Sequence, residues 1–123
     1  MKWLNIYFLI NLYIKPMAAR YSFYYRAKLL GDYIVYTKAE FGEDLKWKLT
    51  QTQDKEEIKD WAYNILSRFP YKMEEALKNI LLTLVIMDNT PEFKLSIEEI
   101  KQLADDLEKG REPGIKIVKS GER

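Results

Sequence analysis

Three groups of residues have types and spacings that could do chemistry. Asp32 followed by Asp44-Leu45-Lys46 mimics the acid, acid-x-Lys order of a metal-dependent nuclease, in which carboxylates share a divalent ion. Arg20, Tyr24, Arg26, Lys28, Tyr36, Lys38, Lys46 and Lys48 interleave cations with tyrosine over the first half of the chain. Cations neutralise phosphates and aromatic rings stack on bases or sugars, so this pattern suits nucleic acid. Asp105, Asp106 and Glu108 form an acidic cluster near the other end. They offer a docking patch for a basic partner, or a weak divalent site.

Much other chemistry is excluded by composition. The chain has no histidine and no cysteine, which removes Ser-His-Asp and Cys-His nucleophiles and the usual zinc sites. Acid–base work would fall to carboxylates, lysines and tyrosines. The five glycines are scattered, with no phosphate-cradling loop among them. No constellation of catalytic groups converges, so the expectation is a non-enzyme with no cofactor, no metal and no small-molecule substrate.

The elements that must position these residues can be read from periodicity. With 123 residues, 47% hydrophobic and 32% charged, the chain has the mixture of one globular domain spanning 1–123. Residues 1–50 carry eight Lys and Arg against four acids, and residues 51–123 carry twelve against fifteen. That leaves a basic front and an acidic back, a mild pointer to a polyanionic partner. The absence of cysteine fits a reducing cytoplasm.

The run LNIYFLINLYI, residues 4–14, opens the chain. It is too short for a transmembrane helix, which needs about 20 apolar residues, so no membrane span is expected. As a signal peptide it lacks a good cleavage site, because Met17 or Pro16 falls three residues before the cut. Leu4, Ile6, Phe8, Ile10, Leu12 and Ile14 share one parity, which predicts a long strand over 1–16 ended by Pro16. The alternatives are a signal or anchor, or a protein that starts at Met17.

Alternation continues over residues 20–29, with Tyr21, Phe23, Tyr25, Ala27 and Leu29 on one face and Arg20, Ser22, Tyr24, Arg26 and Lys28 on the other. Gly31-Asp32 reads as a tight turn, residues 33–41 as a third strand, and Gly42-Glu43-Asp44 as the next turn. Leu45, Trp47 and Leu49 would face inward on a fourth strand and Lys46, Lys48 and Thr50 outward. The period then changes to 3.6. Asp54 caps a helix whose stripe is Ile58, Trp61, Ala62, Ile65, Leu66 and Phe69, stopped by Pro70. A second helix runs over 71–87, apolar nearly all round in its latter half. A third opens with the capping box Ser96/Glu99, buries Ile97, Ile100, Leu103, Ala104 and Leu107, and closes at Gly110. Residues 115–118 could form a short final strand, and 119–123 a frayed tail. Strands first and helices afterwards predict an α+β fold, an antiparallel sheet with about three helices on one face.

That fold weighs the candidate groups. Asp32 and Asp44 would flank the third strand, on the order of 30 Å apart, too far to share an ion. The acidic cluster reads more simply as a solvated face near Lys101 and Lys109. The basic and tyrosine residues would line up on the outward sheet face, so the expected function is a non-catalytic module binding DNA or RNA there. Lysine and arginine on exposed strands also resist edge-to-edge aggregation, a purely structural use. The alternative is a protein–protein module or small subunit of a homo-oligomer or complex, because three tryptophans and nine tyrosines are much aromatic surface for this length.

Overall fold

In the computed structural model, which describes residues 17–119, helices occupy the positions where alternation predicts an antiparallel sheet. The first, α1, covers residues 17–30. Its alternation is equally a helical pattern: Arg20, Tyr24 and Ala27 follow one another by four and three and share one face. Tyr24 and Ala27 on that face are buried. Residues 17–30 contain no β-branched side chain and are rich in Ala, Arg, Lys and Leu, good helix formers. Gly31 does not turn a hairpin. At φ 73° it closes α1, its N–H donating to Lys28 O at 3.3 Å while Asp32 N–H donates to Ala27 O at 3.0 Å.

Helix α2, Lys38–Gln51, replaces the third strand, its turn and the fourth strand. Thr37 and Glu40 form a capping box that starts it, each side chain accepting the other's backbone N–H. Phe41, Leu45 and Leu49, four residues apart, are its buried stripe, and Trp47 is only half-buried. Gly42 lies inside the helix. A Cβ there would sit 2.5 Å from the Glu108 backbone nitrogen and 2.9 Å from the Ala104 carbonyl oxygen, so glycine is what lets a later helix approach.

The helices expected further on are present. Asp54 caps α3, Lys55–Arg68, by accepting the Glu56 N–H at 2.9 Å, and Ile58, Ala62 and Ile65 are buried. Helix α4, Glu75–Ile86, starts later than the periodicity predicts, because a bend at Tyr71 and a bridge at Met73 precede it. There Tyr36 and Met73 form an isolated parallel bridge, with Tyr36 N–H donating to Lys72 O and Glu74 N–H to Tyr36 O, both at 2.9 Å. It is the one β-type pairing among the described residues. A 3₁₀ turn, Pro91–Phe93, precedes α5, Ile97–Glu108, which opens on the Ser96/Glu99 capping box. Gly110, at φ 72°, closes α5 as Gly31 closes α1.

Helix α2 packs on α5, α3 packs on α4, and α2 also touches α4. Leu45, Ile58, Leu77, Leu81, Leu84 and Ile100 are fully buried between them, each contributing about 1.5–3 kcal/mol by its removal from water. Residues 111–119 form no final strand. They lie along the bundle, Ile115 and Ile117 packing on the core and Val118 N–H donating to Thr83 Oγ1 at 2.9 Å. The strand expected over residues 1–16, with its alternatives, and the tail beyond residue 119 lie outside the described residues.

Candidate functional site

A helical α1 and the bridge at Tyr36 turn three of the residues expected on an outward face toward the interior. Arg20 forks onto Asp44, its Nε donating to Oδ2 at 3.1 Å and its NH2 to Oδ1 at 3.2 Å, and reaches Glu40 Oε2 at 2.9 Å. The Tyr24 hydroxyl lies 2.7 Å from both the Val35 carbonyl oxygen and Glu40 Oε1, its one O–H shared between these two acceptors. Tyr36, fully buried, donates to Asp44 and stacks on Phe69 at 4.4 Å between ring centres. Burial opposes the charge on Arg20, but the hydrogen bond and charge of Asp44, with Glu40 behind it, raise its pKa above the ordinary value. Burial also raises the pKa of Tyr36, reinforced by the charge and hydrogen bond of Asp44. Tyr24 is raised in the same way, by burial and then by Glu40. This network fastens α1 to α2, and each of its polar groups has a partner.

The same network disposes of the nuclease-like pattern. The strand that separated Asp32 from Asp44 does not exist, so the distance expected from it has no basis. What occupies Asp44 is Arg20 and Tyr36. Among the described residues no group of three or more acidic side chains converges as a metal site requires.

Lys46 is also engaged. Its ammonium lies 2.7 Å from Asp105 and 2.5 Å from Glu108, bridging α2 to α5. Lys109 and Arg111 close on Asp105 as well, and Arg111 with Gln102 holds Asp106. Hydrogen bonds from Lys46, Lys109 and Arg111 hold the Asp105 carboxyl below the usual range, and those from Gln102 and Arg111 do the same for Asp106. The acidic cluster is thus neutralised by cations of its own chain. Lys38 and Lys48 are half-buried on α2, while Arg26 and Lys28 are exposed on α1. The eight basic and tyrosine residues therefore share no face.

Among the described residues a different surface is left open. The outward side of α1 carries Phe23, Tyr25, Leu29 and Leu30, from 57% to 72% exposed, and Tyr33 beyond its end is 94% exposed. Leu29 follows Tyr25 by four residues and Leu30 follows Phe23 by seven, so each pair stacks along the helix. Between α1 and the end of α3 runs a groove of about 460 Å³, floored by Tyr21, Tyr25, Leu29 and Pro70 and edged by Arg26 and Arg68. Neither arginine meets a carboxylate among the described residues. Reading α1 as a helix would have placed Tyr25 and Leu29 away from Tyr24 and Ala27, but Phe23 and Leu30 adjoin Ala27 at helical spacing, and their exposure was not legible in the sequence.

No helix of the described residues is long and apolar enough to cross a membrane. The chain matches no family model, and comparison with curated proteins and with solved structures yields no match either.

Proposed function

We propose that the chain is a cytoplasmic, non-catalytic binding module that docks another protein on the outward face of α1. The observation that carries this is the concentration of exposed large apolar side chains there, Phe23, Tyr25, Leu29 and Leu30, with Tyr33 beyond the helix end. Single exposed hydrophobic residues are ordinary on protein surfaces. Tyr25 with Leu29 and Phe23 with Leu30 form two exposed apolar stripes about 130° apart around α1, and such stripes are what interfaces use, because covering them removes apolar area from water without rearranging the core. Nucleic acid is less well served. Of the eight residues that pattern selects, Arg20, Tyr24, Tyr36 and Lys46 are committed inside the chain, and only Arg26 and Lys28 are exposed. Two cations neutralise two phosphates, which supports only weak, strongly salt-dependent binding.

The test is in-cell cross-linking of the full chain against its Leu29→Asp/Leu30→Asp variant. Both side chains are exposed, but two acids in the last turn of α1 oppose its dipole, so the loss of cross-linking is also read in Leu29→Ser/Leu30→Ser, whose thermal midpoint should stay close to that of the unaltered chain. The expected result is a discrete protein adduct that the variant loses. An adduct unchanged in the variant, or one removed by nuclease, overturns the proposal.

A further inference from the structure

Resting on that reading of α1, we infer that the partner presents an acidic amphipathic helix, seated in the groove between α1 and the end of α3. The groove is shallow and open, and Tyr21, Tyr25, Leu29 and Pro70 line it with aromatic and aliphatic surface. A helix laid in such a groove inserts apolar side chains at i, i+3 or i+4, and i+7. The charge at the edges sets the sign of what flanks them. Arg26 and Arg68 edge the groove, no acid lines it, and the first 31 residues of the chain contain no Asp or Glu. Arg20, Lys46, Lys59 and Arg111 are answered by carboxylates of their own chain, whereas among the described residues these two groove arginines are not. Arg68 in the last turn of α3 is partly answered by the carbonyl end of its own helix. Arg26, in the interior of α1, has no such answer. Carboxylates on an incoming helix would supply it for both.

Other occupants fit less well for stated reasons. A second copy seated on the same face would bring cation against cation across a two-fold axis. Residues 4–14 of this chain, LNIYFLINLYI, carry no acid to offer either arginine. A nucleic acid would find only two cations beside an apolar floor, and an anionic bilayer is the occupant that the vesicle arm of the experiment tests.

The experiment is selection from a displayed library of helical peptides, with the full chain as bait. Enriched peptides should carry Asp or Glu flanking apolar residues at helical spacing, and a synthetic copy of the best should bind more weakly as salt rises. Replacing Arg26→Glu and Arg68→Glu together should weaken that peptide about tenfold and create affinity for its lysine-substituted counterpart. The salt dependence of the unaltered protein serves as the measure should the double variant fail to fold. If peptides bind, lose binding in Leu29→Asp, yet are neutral or basic or indifferent to salt, the acidic-helix inference falls and docking on α1 stands. If no selected peptide depends on Leu29, docking on α1 falls as well. Displacement of the peptide by synthetic residues 4–14, by an oligonucleotide or by anionic vesicles, or a dimer dissolved by Leu29→Asp, also overturns the inference.

Discussion

Arg20 of α1 and Asp44 of α2, twenty-four residues apart, meet through two hydrogen bonds of 3.1 and 3.2 Å, with the aspartate side chain 1% exposed. Removing one member of such a pair strands the other. Asp44→Ala leaves Tyr36 without its acceptor and Arg20 with Glu40 and the more exposed Glu43. We expect a loss of about 3–5 kcal/mol in urea unfolding. Arg20→Ala should cost a similar amount, and a double-mutant cycle should show coupling of about 1–3 kcal/mol between them. Additive effects would mean that the pair does not hold α1 in place.

Gly42 defines how closely α2 and α5 cross. A methyl group there meets the backbone of Glu108 and Ala104, which cannot swing aside as a side-chain tip can. Gly42→Ala should therefore destabilise by about 1–3 kcal/mol, although alanine is the better helix former by about 1 kcal/mol. A calorimetric melt decides the sign, and a stabilised variant would show that the helices have room to part.

Tyr24 and Tyr36 have pKa values raised by burial and by neighbouring carboxylates. A group whose pKa is higher folded than unfolded contributes stability that is complete below the unfolded value and fades above it. For tyrosine that value is about 10. Stability should thus begin to fall as pH rises past about 10, and these two of the nine tyrosines should ionise only on unfolding. Ultraviolet titration of phenolate alongside circular dichroism will show it. Tyr36→Phe should flatten the alkaline limb.

The acid limb runs the other way. Asp105 and Asp106 are held below the ordinary carboxylate range by their hydrogen bonds to Lys46, Lys109, Arg111 and Gln102. Such groups contribute stability that is present above the unfolded value near 4 and is lost as pH falls through the folded one. The melting temperature should decline below about pH 4, and Asp105→Asn should make that decline shallower. An equally steep decline in the variant would place the acid sensitivity elsewhere.

The second half of the chain was legible because its signals are local. Asp54 and Ser96 cap helices by bonding N–H groups two or three residues away, and Ile58, Ala62 and Ile65 recur at a period that only a helix can bury on one side. The first half misleads because it is aromatic and apolar on so many positions that periods of 2 and 3.6 both fit residues 20–50. Alternation placed Arg20 with the solvent-facing cations, since a charged side chain alone favours water. The absence of β-branched residues over 17–30 was a local signal for helix that alternation overrode.

By itself the sequence determined the exclusion of histidine and cysteine chemistry and the caps and stripes of α3 and α5, all of which depend on composition or on neighbours within a turn or two. Only the tertiary structure decided that Arg20 points inward, that Gly42 is a crossing point rather than a turn, and that Leu29 and Leu30 face out. The physical reason is common to all three. Where a charge can be buried, where a missing side chain matters and which apolar face lacks cover depend on groups brought near from elsewhere: Asp44 for Arg20, Glu108 for Gly42, and Arg68 with Pro70 for the open side of α1.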